Sequence, residues 1–265
     1  MSHPDAGYRP GPVVITGASS GIGYALACEY ADPGRPVLLV GRSRESLAGL
    51  AEKLRGRGAC PEVGIADVRD GEVLDRLASG FAGRHGPVSV LVASAGISHG
   101  TLTSEKDDRR VFADILTTNV LGMQLSFSAF LPYMQDGGRI AGIASVAGFR
   151  GLPGAAAYSA SKAAVICYLE SLRLELRPRN ILVTCIAPGY IATPMTAENA
   201  YPMPWLMPVD RAAMQMRRAI DLGRPWLVVP WQMAATGWFL KHLPRFLYDR
   251  IASRMGTKAR RISAE

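Results

Sequence analysis

The sequence predicts a parallel, doubly wound α/β sheet of about seven strands, with helices on both faces, in a single domain. Three observations predict it. Short apolar or β-branched runs alternate with helix-length segments from Val13 to Val229, as a sheet built from βαβ units requires. Runs such as Val88 to Ala93 are apolar nearly throughout, which suits strands covered on both faces. The first of these runs leads straight into a glycine-rich turn that opens a helix. At 265 residues, 48% of them hydrophobic and 20% charged, the chain can bury one large core and does not have the composition of a disordered protein.

Val13-Val14-Ile15 enters Thr16-Gly17-Ala18-Ser19-Ser20-Gly21-Ile22-Gly23, and Tyr24 to Ala31 reads as helix. At such a junction Gly17 permits the tight turn, Gly21 lets backbone approach a pyrophosphate, and Gly23 lets the helix pack closely on the strand. The helix N-terminus then faces the phosphates, with Ser19, Ser20 and Ile22 beside them. The second strand, Pro36 to Val40, ends in Gly41-Arg42-Ser43. A fold that takes NAD sets an acidic residue at that point to hold the ribose hydroxyls. An arginine suits a 2′-phosphate through charge-assisted hydrogen bonds, so NADP(H) is expected over NAD(H), with Arg42 as the contact. An ordinary helix-preceding arginine is the plain alternative.

Ser43 is expected to cap a helix reaching Arg57, and a third strand, Glu62 to Ile65, leads to Asp67-Val68. There a carboxylate either accepts from an adenine amino group or caps the helix Gly71 to Arg84. The fourth strand, Val88 to Ala93, exits through Ser94-Ala95-Gly96, small enough for a flat cofactor ring to lie close. Glu105 to Tyr133 reads as one long helix containing Asn119. Asparagine is unfavourable inside a helix because its amide competes for backbone hydrogen bonds, so Asn119 has either a special task or a surface position.

Gly137-Gly138 turns the chain into a fifth strand, Arg139 to Ala144, which delivers Ser145. The following helix carries Tyr158 and Lys162 and stops before Pro178. Four residues apart, the phenol and the ammonium share one helical face. A phenol titrates near pH ~10, and a cation beside it in a poorly solvated site favours the phenolate, as acid–base work near neutrality needs. The same spacing also occurs on surface helices whose long stems merely cover apolar neighbours. A sixth strand, Ile181 to Ile186, ends at Pro188-Gly189. Tyr190 to Pro208 holds four prolines, three methionines, two tyrosines and a tryptophan. It is expected to lack regular structure and to belong to a substrate lid over residues 190–225. A helix from Val209 to Leu222 and a last strand, Trp226 to Val229, precede two short amphipathic helices in residues 231–256.

Thr16-Gly17-x-x-x-Gly21-x-Gly23, Asp67, Asn119, Ser145, Tyr158-x-x-x-Lys162, and Pro188-Gly189 with Thr193-Pro194-Met195 together resemble the short-chain dehydrogenase/reductase family in its NADP-preferring branch. The resemblance covers nearly all of residues 12–230 in the correct order. It implies a Rossmann-type fold and an NAD(P)-dependent oxidoreductase interconverting a ketone or aldehyde and an alcohol. By the same resemblance Asn119 holds a water for a proton relay and Ser145 hydrogen-bonds the substrate oxygen. Tyr158 transfers the proton, while Lys162 lowers its pKa and binds the nicotinamide ribose. Thr193 lies near the carboxamide, and Pro188, Gly189 and Ile191 join the cofactor contacts. His99, Phe149, Pro153 and Tyr190 are expected on the substrate side. The family's usual Asn-Asn-Ala-Gly is Ala93-Ser94-Ala95-Gly96 here, and its serine pair is Ala144-Ser145. A homodimer or homotetramer through the helices bearing Asn119 and Tyr158 is also implied. The competing reading is a catalytically silent NADP(H)-binding sensor, a class that tends to lose the tyrosine or the lysine.

The net charge of +8 is concentrated late, because residues 209–265 carry eleven Lys/Arg against four Asp/Glu. No nucleic-acid motif accompanies it. A solvated basic surface is the simpler reading, with peripheral membrane contact as the alternative. Cys28, Cys60, Cys167 and Cys185 are too scattered for a metal site or a redox pair. A reducing cytoplasm is the expected location, with no signal peptide in Met1 to Pro12 and no segment long enough to span a bilayer.

Overall fold

The chain builds outward from β1 (Val13–Thr16), four residues that are buried throughout. The structure is a computed structural model and describes residues 10–199, 201–254, 256 and 260. The remaining strands are β2 (Pro36–Gly41), β3 (Cys60–Ile65), β4 (Val88–Ala93), β5 (Met134–Ile143), β6 (Leu182–Pro188), β7 (Ile191–Ala192), β8 (Met207–Pro208) and β9 (Trp226–Val229). The helices are α1 (Gly21–Glu29), α2 (Arg44–Arg55), α3 (Gly71–His85), α4 (Asp108–Leu116), α5 (Gly122–Phe130), α6 (Ala156–Glu175), α7 (Pro194–Ala197), α8 (Val209–Asp221), α9 (Trp231–His242) and α10 (Arg245–Ala252).

Seven strands form one sheet in the order β3-β2-β1-β4-β5-β6-β9, and every pairing in it is parallel. The chain runs outward from β1 to β3, then returns to lay β4 on the other side of β1. That reversal opens a crevice beyond the carboxyl ends of β1 and β4, where ligands of doubly wound sheets bind. Alternate strand residues feed opposite faces, as the period of two dictates. Val13, Ile15, Leu39 and Val92 pack with Leu26, Leu50 and Met216 on one face. Val14, Leu38, Val40 and Leu91 pack with Phe81, Phe127 and Leu169 on the other.

Three expectations about local structure need correction. The helix expected over 105–133 begins at Asp108, and a π-helical segment, Thr117–Leu121, separates α4 from α5. It ends in a 3₁₀ turn, Leu131–Tyr133, at Pro132, whose missing N–H cannot continue the helical ladder. The cap of α3 is Asp70, whose carboxylate accepts from Val73 N at 3.1 Å, and not Asp67. The segment after Gly189 is more ordered than its prolines suggest. Ile191 and Ala192 of β7 pair with Met207 and Pro208 of β8, which pinches the base of the loop, and Pro194 opens the short helix α7 at a position where proline is tolerated. The expected cap at Ser43 is present, its hydroxyl accepting from Ser46 N at 3.3 Å. Met255, the end of the expected second C-terminal helix, lies outside the described residues, as do Met1 to Arg9.

Candidate active site

A cleft of about 240 Å³ lies at the carboxyl edge of the sheet, over the β1–β4 crevice. Its wall gathers Gly17, Ser19, Ser20, Gly21 and Ile22 of the turn, Arg42, Asp67 and Val68 beyond β2 and β3, and Ser94, Ala95 and Gly96 beyond β4. Ser145, Tyr158, Lys162, Pro188, Gly189, Ile191 and Thr193 complete it. Gly23 stands behind the turn, because a Cβ there would lie 2.3 Å from the Gly17 carbonyl oxygen, so the helix can sit this close only with glycine. Gly17 has φ +70°, and a Cβ on it would lie 2.5 Å from Ala95 N. Bare backbone at this point lets the exits of β1 and β4 meet.

The donor set suits a dinucleotide. Ser20 is the N-cap of α1 but makes no side-chain capping bond, and Gly21 and Ile22 of the first turn line the cleft, an arrangement that suits a phosphate. Gly41 leaves open the place where a Cβ would come within 2.9 Å of Ser19 Oγ. Arg42 is exposed beside this gap and has no ion pair among the described residues. Asp67 is already engaged: Arg69 grips it through Nε–Oδ1 at 3.0 Å and Nη2–Oδ2 at 2.7 Å, and these bonds hold its pKa below the usual carboxylate value.

At the other end of the cleft, β5 delivers Ser145, which caps a 3₁₀ turn by accepting from Ala147 N at 3.1 Å. Gly148 in that turn touches α6 so closely that a Cβ would lie 2.7 Å from the Lys162 carbonyl carbon. This contact sets Ser145 against the helix carrying Tyr158, and the two hydroxyls hydrogen-bond. Lys162 is buried, its ammonium donating to the Ile143 carbonyl at 2.7 Å and lying 5.8 Å from the centre of the Tyr158 ring. Burial lowers its pKa to about 8, so it still carries its proton at neutral pH. The expected lowering of the Tyr158 pKa by Lys162 is reversed. Burial of the hydroxyl dominates and raises the value, and the Ser145 hydrogen bond opposes it. One of the three N–H donors of the ammonium is held by the Ile143 carbonyl.

Asn119 does not line the cleft. It is fully buried in the π-helical segment, where Oδ1 accepts from Ile97 N at 2.8 Å and Nδ2 donates to Ile97 O and Ser161 Oγ, each at 3.0 Å. Ser161 Oγ in turn donates to Tyr158 O at 2.8 Å. The amide therefore ties the β4 exit to the turn of α6 that holds Tyr158. The four residues expected on the substrate side lie outside the cleft wall. Phe149 stacks on Trp226 with ring centres 5.8 Å apart, and Tyr190 meets Tyr201 at 6.3 Å. His99 and Pro153 sit half-buried in loops.

Several lining residues were not anticipated from sequence, among them Gly41, Ile97, Thr118 and Thr196. Thr196 has a sequence signal in Thr193-Pro194-Met195-Thr196, the start of a helix with proline in its first turn. Its Oγ1 donates to Ile191 O at 2.6 Å and accepts from Thr193 N at 3.0 Å. Ile97 and Thr118 have no signal beyond standing next to Gly96 and Asn119.

A phosphate-type turn and a hydroxyl–phenol–ammonium group facing one cleft define a dinucleotide-dependent oxidoreductase. Residues 12–203 match the family model described as short chain dehydrogenase. The chain belongs to that family, and so is an oxidoreductase working between CH–OH and C=O with a nicotinamide dinucleotide. An uncharacterized oxidoreductase of Myxococcus xanthus is 37% identical over 244 residues, 91% of this chain and 96% of that protein. A putative ketoacyl reductase of Streptomyces coelicolor is 33% identical over 220 residues, covering 80% and 83%. Among solved structures, a variant of the actinorhodin polyketide ketoreductase with NADPH superposes with a TM-score of 0.73 at 29% identity, covering 86% of this chain and 97% of that one.

Proposed function

We propose that the protein is an NADP(H)-dependent reductase or dehydrogenase of an apolar ketone or secondary alcohol, with Tyr158 as its general acid and base. The observation that carries this reading is the Ser145–Tyr158 hydroxyl pair, set in one cleft with the uncapped N-terminus of α1. When bound, the dinucleotide supplies or accepts the hydride at the substrate carbon. In the reductive direction Tyr158 Oη gives its proton to the carbonyl oxygen as negative charge develops there. A phenol whose pKa is raised by burial is fully protonated at neutral pH and ready to act as the acid. Ser145 Oγ holds the substrate oxygen against Tyr158, and the Lys162 ammonium offsets the charge left on the phenolate. Asn119 fixes the backbone on either side of this group through Ile97 and Ser161.

Arg42 and the open place at Gly41 support NADP(H) over NAD(H), as does the NADPH held by the similar ketoreductase structure. The ketoacyl reductase relative supports a ketone carbonyl as the reacting group. Met195 and Pro194 on the cleft wall support an apolar substrate, with the 190–208 loop as a lid whose base is held by the β7–β8 pairing. Exposed Phe112, Leu121 and Leu174 on α4, the π-helical segment and α6 offer apolar surface for a homo-oligomer. The four free cysteines suit a reducing compartment.

The test is turnover of a panel of ketones and β-keto thioesters with NADPH and with NADH. Oxidation of NADPH that depends on an apolar ketone is expected. Tight dinucleotide binding without turnover on any carbonyl would leave a sensor in place of an enzyme.

A further inference from the structure

We propose that the face formed by α9, α10 and the adjoining tip of the 201–208 segment docks on an anionic lipid surface. Helix α9 is apolar on two sides. Met233 and Gly237 are buried, packed so tightly that a Cβ on Gly189 would meet Met233 Cγ at 2.4 Å and one on Gly237 would meet the Phe149 ring at 2.5 Å. Trp231, Ala235, Trp238 and Phe239 follow one another at i, i+4, i+7 and i+8 on the outer side. Trp231 is 73% exposed and Trp238 65%. Helix α10 repeats the pattern, burying Tyr248 and Ala252 while Phe246, Leu247 and Ile251 face solvent. At the start of α9, Trp205 and Leu206 join Trp231 around a second cavity of about 240 Å³, so the patch reaches the far end of the loop whose near end walls the cleft. Apolar exposure gathered in this way marks an interaction site.

The patch is held as a platform. Arg150 Nη1 donates to the carbonyls of Leu240, Lys241 and Leu243 at 3.0, 3.2 and 3.0 Å, closing the end of α9. Its guanidinium lies 4.1 Å from the centre of the Tyr248 ring on α10, whose hydroxyl donates to Gly151 O. Both helices are thereby fixed to the loop that follows Ser145.

Charge selects the occupant. Between residues 231 and 254 stand Lys241, Arg245, Arg250 and Arg254 against Asp249 alone, a net of 4 − 1 = +3, and Arg211 lines the second cavity. In a twofold contact with a second copy the patch would meet itself and set these like charges together. Anionic headgroups complement them, and tryptophan with basic side chains is the combination that settles at the level of lipid headgroups. Among the described residues no helix is long and apolar enough to cross a membrane, so the contact is peripheral.

The full-length protein is sedimented with vesicles of phosphatidylcholine alone and of phosphatidylcholine mixed with phosphatidylglycerol. Binding to the anionic vesicles is expected, weakened by salt and accompanied by a blue shift of tryptophan emission. Lys241→Gln, Arg245→Gln and Arg250→Gln together lower partitioning by about a hundredfold, at about fivefold for each cation. Trp231→Ser with Trp238→Ser weakens binding to the same vesicles. The substituted side chains are exposed, and unchanged far-UV circular dichroism verifies the fold of each variant. No sedimentation with anionic vesicles overturns the proposal, as does undiminished binding by the triple variant. A concentration-dependent dimer dissociated by the two tryptophan substitutions assigns the patch to a second copy and overturns it as well.

Discussion

Lys162→Met is predicted to stabilise the folded protein near neutral pH relative to its parent, or to leave it unchanged, although the side chain lies in the candidate active site. The ammonium is buried, and burial takes its pKa from the ordinary 10.5 to about 8. The unfolded chain keeps this proton up to about pH 10.5, whereas the folded chain gives it up near pH 8. In that window the unfolded state holds more protons, so stability rises with pH. Below about pH 8 both states are charged and the folded one carries the full penalty. A fall of about 2.5 pH units amounts to about 3 kcal/mol at pH 7. Methionine removes that penalty but leaves the Ile143 carbonyl without its donor, a loss of about 1–3 kcal/mol. The net gain at pH 7 is therefore about 0–2 kcal/mol, and only the charge part varies with pH. Urea unfolding of both proteins at pH 7 and pH 10, without added dinucleotide, measures it. Wild type should gain about 2–3 kcal/mol on the variant between the two pH values. A difference that stays constant with pH, or moves the other way, refutes the reasoning.

Arg42→Ala should weaken NADPH binding by about 10- to 100-fold while leaving NADH binding nearly unchanged, since only a 2′-phosphate makes charge-assisted bonds with the guanidinium. Isothermal titration with both dinucleotides checks this, and an equal loss for the two assigns Arg42 no part in the preference. Gly237→Ala places a methyl 2.5 Å from the Phe149 ring and should cost about 1–3 kcal/mol by overpacking. Urea unfolding measures the change, and an unperturbed midpoint contradicts the packing described for α9.

The order of strands and helices was legible because it rests on periodicity and on glycine, both local properties. Val13 to Gly23 shows this best, for a Cβ on Gly17 or Gly23 would fall on backbone atoms, and Gly21 has the left-handed φ of +56° that favours glycine. The phenol, ammonium and serine were found for a similar reason, since four residues along a helix fix a shared face. Asn119 was legible as an anomaly but not as a solution. The slip of the backbone ladder into a π-helical segment has no periodic trace, and the partners of its amide, Ile97 and Ser161, come from distant elements. The raised Tyr158 pKa is not legible in the sequence, because spacing places a cation nearby without saying how deeply the phenol is buried. Phe149 and Tyr190 illustrate the same limit. Their aromatic partners, Trp226 and Tyr201, are chosen by tertiary packing that a single sequence does not display.

The central claim is that Tyr158 moves the proton, and Tyr158→Phe tests it most directly because it deletes one oxygen and keeps the ring that packs beside Lys162. Steady-state turnover of an apolar ketone with NADPH is measured beside NADPH affinity for the same variant. Loss of kcat/KM by about 10²–10⁴-fold with affinity retained is the predicted result. Full turnover by Tyr158→Phe contradicts the account.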